Sequence, residues 1–276
     1  MQKTLPTPLG VRLLDALPHA RVFGDSEVRC QSCTNDLSRV QAGDVFFCTT
    51  DNSASEAALA LEHGAAAVVT DMFLPVFGSP QFVTADAQAA YGELCQRLVG
   101  NPTQDLTLIG VTGAHGKTTV SRLLTGVLRS EDLPTACLAD GLETDGMVTQ
   151  RRDQFKQTAP RLARWLGESA ANGCRHAITE ITPQGALDQC YAGMKFGAVC
   201  LTNLSFDRSN GRSVERDREL ATELLSGLAP FAPLVANADD PECAKIAAER
   251  LGATLTFGFD KPADLQAVVI ESHAGG

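Results

Sequence analysis

The residues of this 276-residue chain best equipped for chemistry form the run Thr112-Gly113-Ala114-His115-Gly116-Lys117-Thr118-Thr119. Glycines let a backbone turn its N–H groups inward, the Lys117 ammonium can reach the outer phosphates of a nucleotide, and the Thr118 hydroxyl can ligate magnesium. Such a loop works only between a strand that delivers it and a helix whose N-terminus adds partial positive charge. Both are predicted: Leu106 to Val111 is an apolar run, and helical periodicity covers Thr118 to Arg129. The general P-loop pattern asks for glycine where this chain has Val111, so the loop is a variant of the form T-G-x-x-G-K-T-T. A chance Gly-Lys-Thr on a surface turn is the plain alternative, and the flanking strand and helix argue against it. ATP and Mg2+ are the expected ligands, with Gly113, Ala114, His115, Gly116, Lys117, Thr118 and Thr119 at the nucleotide.

The elements that must position this loop follow from the apolar pattern. After Leu106 the chain alternates strand, loop and helix. A helix near Arg161 to Ala171 feeds a strand Ala177 to Ile181, and Ala198 to Thr202 and Leu234 to Ala236 read as two more strands with a helix Val214 to Leu228 between them. Continuous apolar strands separated by helices indicate a parallel sheet covered on its faces. Leu265 to Glu271 reads as a further strand and His273-Ala274-Gly275-Gly276 as a turn, so a truncated domain is expected. Earlier, Val45 to Cys48, Ala66 to Thr70 and Gln81 to Val83 read as strands, with helices at Glu56 to His63 and near Ala89 to Leu98. Gly100-Asn101-Pro102 punctuates the chain. The fold class expected is α/β: a small N-terminal α/β domain at 1–102, then an incomplete P-loop ATPase domain at 103–276 with a mainly parallel sheet flanked by helices.

Composition narrows the partners. Lys and Arg number 23 against 33 Asp and Glu, a net charge of -10 that argues against nucleic acid, whose affinity comes from clustered cations. No apolar run approaches the ~20 residues of a membrane helix, and Met1 to Gly10 lacks the apolar core of a signal peptide, which predicts no membrane insertion and a cytoplasmic location. Nine scattered cysteines, an odd number, suggest reduced thiols. Cys30 and Cys33 form a lone C-x-x-C, read as ordinary thiols in preference to a zinc site.

The variant loop resembles that of the Mur ligase family, and other segments resemble its motifs in order. Gln41-Ala42-Gly43-Asp44 before Val45-Phe46-Phe47 is similar to a P-G-D-x-F segment of the UDP-binding domain, and Thr158-Ala159-Pro160 to a T-T-P loop. Thr179-Glu180-Ile181 resembles an M-E-V strand end, Leu201-Thr202-Asn203-Leu204-Ser205-Phe206-Asp207 an F-T-N-L-x-x-D segment, and Ala236-Asn237-Ala238-Asp239-Asp240 a V-N-A-D-D. The branch it is most similar to is that of the UDP-N-acetylmuramyl-tripeptide synthetases, which join an amino acid to UDP-MurNAc-L-Ala-D-Glu in peptidoglycan synthesis. The resemblance implies a monomer that uses ATP to phosphorylate a carboxylate before an amine attacks the acyl phosphate. It implies catalytic roles for Lys117 and Glu180, magnesium on Thr118 and Glu180, and nucleotide contacts from Asn203, Asn237 and Asp240. Substrate contacts would come from Ser38, Arg39, Thr158, Thr182 and Gln189. Strand-end capping and turn formation are the alternatives for Asn203, Asn237 and Asp240, because Asn and Asp serve these anywhere.

The sequence also departs from the family pattern. His115 stands where the loop has Asn, and Thr182-Pro183-Gln184 replaces S-S-H. Arg208 to Ser213 replaces H-L-D-Y-H-G, and Thr222 falls where a carbamylated lysine is expected. The D-S-R motif gains a residue in Asp36-Leu37-Ser38-Arg39, and Tyr191 follows Leu187-Asp188-Gln189 where an arginine is expected. The resemblance implies a third domain, and its absence from this sequence is read as truncation. Two functions are therefore open: an ATP-dependent ligase, or a non-catalytic relative that binds nucleotide or a UDP-linked precursor. Some other P-loop ATPase such as a kinase is a third, for which no second motif is present.

Overall fold

The computed structural model describes residues 10–50, 53–76, 78–151, 156–204, 221, 222, 225 and 232–268. It divides into two compact units, the first made of Met1–Pro102, Gln157–Gly167 and Leu187–Met194, the second of Thr103–Lys156, Glu168–Ala186 and Lys195–Gly276. The two later segments of the first unit were not anticipated from the sequence.

The first unit runs β1 (Val11–Arg12), α1 (Leu13–Ala16), β2 (Arg21–Phe23), β3 (Arg29–Cys30), β4 (Cys33–Thr34), β5 (Val45–Phe47), α2 (Ser53–Glu62), β6 (Ala67–Thr70), β7 (Gln81–Val83) and α3 (Ala87–Leu98). Its main sheet has the order β2-β7-β6-β5-β4, parallel except for the pairing of β2 with β7. Side chains alternate across a strand, so Val45 and Phe47 enter one apolar cluster with Tyr91 and Leu94, while Phe46 enters another with Ala57 and Ala60. Burial on both faces explains why β5 reads as an unbroken apolar run. Asp86 caps α3 by accepting a hydrogen bond from the Ala89 N–H at 2.8 Å, which starts the helix two residues before the apolar pattern does. All nine cysteines are free; Cys33 Sγ lies 3.9 Å from Cys95 Sγ. Hydrogen bonding with Cys30 and Cys95, then burial, pushes the Cys33 thiol far up.

The second unit runs β8 (Thr107–Thr112), α4 (Lys117–Ser130), β9 (Thr135–Ala139), β10 (Leu142–Thr144), β11 (Thr149–Gln150), α5 (Ala159–Ala171), β12 (His176–Glu180), α6 (Pro183–Leu187), β13 (Phe196–Leu201), β14 (Leu234–Asn237), α7 (Pro241–Glu249), β15 (Thr254–Gly258) and β16 (Leu265–Gln266), except that α5 up to Gly167 and the last residue of α6, Leu187, are counted in the first unit. The sheet order is β11-β10-β9-β12-β8-β13-β14-β15-β16. It is parallel from β9 to β16, and β10 and β11 extend it antiparallel. The fold is thus α/β with mainly parallel sheets flanked by helices. From β8 the chain moves to β9, returns to β12, then crosses to β13 on the other side of β8. Ligand crevices of open α/β sheets form at the carboxyl ends of strands around such a reversal.

α4 lays Val120, Leu124 and Leu128 over a core of Val111, Cys137, Ala139 and Ile178, an i, i+4, i+8 stripe that holds the helix on the sheet. β9 escaped the sequence reading because Thr135-Ala136-Cys137-Leu138-Ala139 lacks the β-branched run that marks a strand; it is a strand because every residue of it is buried. The predicted helix Val214 to Leu228 lies outside the described residues apart from 221, 222 and 225, as do Ser205 to Ser213 and the expected turn after Glu271. Among the described residues no helix is long and apolar enough to cross a membrane.

Candidate functional site

β8 delivers Thr112 to the loop, and the backbone then turns through Gly113 at φ 136° and Gly116 at φ 81°. Both angles favour glycine, but for different surroundings. A Cβ on Gly113 would collide with Thr202 Oγ1 and sit 2.9 Å from Asn203 O, whereas a Cβ on Gly116 would meet nothing within 4 Å. Gly116 is the N-cap of α4, and the first N–H to bond back into the helix is that of Val120, to Gly116 O at 2.9 Å. The N–H groups of the first turn therefore point out of the helix end, where an anion would find them. Lys117 folds back over the loop, its Nζ 2.9 Å from Gly113 O and 3.3 Å from Ala114 O.

On the other flank, β12 pairs Glu180 with Val111 of β8. This register sets the carboxylate against the first turn of α4, where Thr118 Oγ1 donates to Glu180 Oε1 at 2.7 Å and the Asp140 N–H donates to the same oxygen at 2.9 Å. Glu180 is 2% exposed. A hydroxyl and a carboxylate converging beside an anion-binding turn suit a hard cation, which prefers oxygen. Among the described residues no group of three or more His, Cys, Asp or Glu could hold a metal ion. A magnesium ion here would thus complete its shell with phosphate oxygens and water.

The ends of β13 and β14 brace the loop from the remaining side. Thr202 Oγ1 lies 2.7 Å from His115 O and 3.1 Å from Thr112 O. The Asn203 carboxamide faces the His115 peptide at both ends, accepting from its N–H and donating to its C=O, each at 3.0 Å. Asn237 Nδ2 donates to Thr202 O at 3.0 Å, and Asp240 accepts from the N–H of Leu204 at 3.0 Å while capping α7 through Glu242 and Cys243. Asp239 accepts from the N–H groups of Phe259, Asp260 and Lys261, which hold its carboxyl below the usual range. The loop, Glu180, Asn203, Asn237 and Asp240 are thus gathered at one end of the sheet. Asn237 and Asp240 spend the polar atoms described above on neighbouring backbone. Thr182 Oγ1 accepts from the Gly185 N–H at 3.0 Å and caps α6.

The remaining candidates belong to the first unit. Ser38 bonds Asp36 through its N–H and hydroxyl at 3.0 and 2.6 Å, and Arg39 Nε is 3.5 Å from the same carboxylate. Thr158 gives its carbonyl to the Leu162 N–H in the first turn of α5. Gln189, at φ 47°, donates to Asp86 Oδ2 at 2.7 Å. Among the described residues no hydrogen bond links Ser38 or Arg39 to Gln189. Tyr191 is buried, its hydroxyl bonded to Gln157. Thr202 was missed as a functional candidate. Its signal is a hydroxyl residue at the end of an apolar strand, too common to single out.

Residues 111–276 match the family described as Mur ligase middle domain. The chain is 27% identical over 276 residues to a UDP-N-acetylmuramoyl-L-alanyl-D-glutamate--2,6-diaminopimelate ligase of Bacteroides thetaiotaomicron, covering 96% of this chain and 56% of that one. It is 28% identical to the ligase of the same name from Halalkalibacterium halodurans, with 93% and 54% covered. A solved structure of a ligase of that name superposes with a TM-score of 0.79 at 22% identity, over 94% of this chain and 54% of that one. The chain spans about half the length of the curated relatives it matches.

Proposed function

This chain belongs to the Mur ligase family, and from that premise we propose that it carries the nucleotide site of an ATP-dependent ligase of peptidoglycan precursor synthesis. The observation that carries this reading is the convergence of Lys117, Thr118 and Glu180 on the first turn of α4. In it, the first-turn amides hold the phosphate chain of ATP and Lys117 leaves the loop carbonyls for the migrating phosphoryl group. That is the electrostatic service phosphoryl transfer mainly needs. Thr118 and Glu180 would hold the magnesium ion, which when bound supplies charge neutralisation between the phosphates. The phosphoryl group would pass to a carboxylate of UDP-MurNAc-L-Ala-D-Glu, and the amine of an amino acid, 2,6-diaminopimelate in the relatives' names, would displace phosphate. Ser38, Arg39, Thr158, Thr182 and Gln189 are proposed on the precursor side, Asn203, Asn237 and Asp240 on the nucleotide side, with the protein a cytoplasmic monomer. The division at Pro102 into precursor-binding and ATP-binding parts belongs to the same proposal.

Calorimetry with Mg-ATP and with UDP-MurNAc-L-Ala-D-Glu, followed by phosphate release with both and 2,6-diaminopimelate, tests this. Failure to bind Mg-ATP would sink it. A second reading, binding without turnover, draws support from Tyr191, which is buried against Gln157 where the resemblance expects a cationic arginine. Binding of both ligands with no phosphate release would favour that reading, and release coupled to ligation would remove it.

A further inference from the structure

We propose that Asn203 is a positioning residue that locks the leading half of the phosphate loop, so that only its trailing half, Gly116 to Thr119, binds phosphate. The proposal rests on the nucleotide-site reading above and narrows it, since Ala114 and His115 are expected nucleotide contacts in the sequence.

The argument is an accounting of amides. In the leading half, the Ala114 N–H donates to Asn203 O at 3.0 Å and the His115 N–H donates to Asn203 Oδ1 at 3.0 Å. An N–H has one hydrogen, so neither is left for a ligand while these bonds persist. The trailing half is different: the first-turn N–H groups of α4 have no intrahelical acceptor, and Val120 is the first to find one.

The lock is specific to a carboxamide. Asn203 presents an acceptor to the His115 N–H and a donor to the His115 C=O, a reciprocal pair that only one orientation of the amide satisfies. A turned amide would set oxygen against oxygen. Thr202 reinforces it with a hydroxyl 2.7 Å from His115 O, and can come this close only because Gly113 has no side chain. Peptide 115 is thereby held from two consecutive residues of the adjacent strand end, and its carbonyl is turned toward β13, away from the phosphate side where it would repel an anion. Asn203 acts on phosphate through the loop, and Lys117 and the first-turn amides do the binding.

Amide hydrogen exchange by NMR on the full chain, with ADP as the probe, separates this role from direct contact. In ligand-free Asn203→Ala the His115 amide should exchange at least about tenfold faster, and ADP affinity should fall about tenfold. Thr202→Val, which keeps the side-chain shape, should give the same signs with about a threefold loss. Lys117→Ala should weaken ADP about 100-fold and leave His115 exchange as in the wild type. On ADP addition to the wild type, the amides of 116 to 119 should gain protection while those of 114 and 115 stay as they were. Unchanged His115 exchange or ADP affinity in Asn203→Ala overturns the positioning role and leaves the phosphate site standing. Wild-type protein that binds no ADP overturns the phosphate site itself.

Discussion

The candidate residues of the two units take their partners over different distances along the chain. In the second unit Glu180 bonds Thr118, 62 residues away, and Asn203 bonds His115, 88 residues away. In the first unit the Ser38 N–H and hydroxyl and Arg39 Nε turn to Asp36, within three residues, while Gln189 reaches Asp86, 103 residues away. Long-range bonds at parallel strand ends form only when the strands are in register, so the phosphate loop takes its shape from the sheet. The contacts among Asp36, Ser38 and Arg39 are those of a local turn.

Lys117→Ala should break the comparison most, removing the ammonium that folds over the loop and weakening ADP by about 100-fold, roughly 3 kcal/mol, in calorimetry. Wild-type affinity in this variant would show that the long-range scaffold serves something other than phosphate. Next comes Gly113→Ala, whose Cβ collides with Thr202 as well as straining φ. It should cost about 2–3 kcal/mol in denaturant unfolding, against about 1 kcal/mol for Gly116→Ala, where only φ is strained. Equal costs would mean that the contact between β13 and the loop is slack.

In the first unit, Asp36→Ala removes a cap over the short 3-10 turn Leu37–Arg39 and should cost only about 0.5–1 kcal/mol by the same measurement. A larger loss would show that this cluster is not local. The smallest effect should be in pH. Bonds first from the Phe259 and then the Lys261 N–H lower the Asp239 pKa, so its contribution is present above the unfolded carboxylate value of about 4 and is lost as pH falls through the folded one. Asp239→Asn should therefore cost a little stability near pH 7, a difference that shrinks as pH falls below about 4, so that the acid limb of the stability profile is flatter than in the wild type. An unaltered acid limb would remove Asp239 from the bracing at the end of β14.

The glycine loop between β8 and α4 was legible because its determinants are contiguous: two glycines, a lysine and a threonine between an apolar run and an amphipathic helix. Asp240 and Thr182 were legible as polar residues near strand ends, and the structure employs both as helix caps. β9 was not legible, since its small residues acquire strand character from burial between β12 and β10. Asn203 and His115 were each visible as candidates, while their pairing was not, because nothing local marks either as the residue the other will face.

By itself the sequence determined what local forces can encode, namely the α/β alternation, the loop, its lysine and its threonine hydroxyl. Glycine dihedrals, helical periodicity and runs of apolar residues need no distant partner. Only the tertiary structure decided which groups press on that loop. That choice depends on the strand order β12-β8-β13, which places Glu180 on one side and Thr202 with Asn203 on the other. A hydrogen bond forms only where both partners arrive together, and across 62 or 88 residues it is the sheet that brings them there.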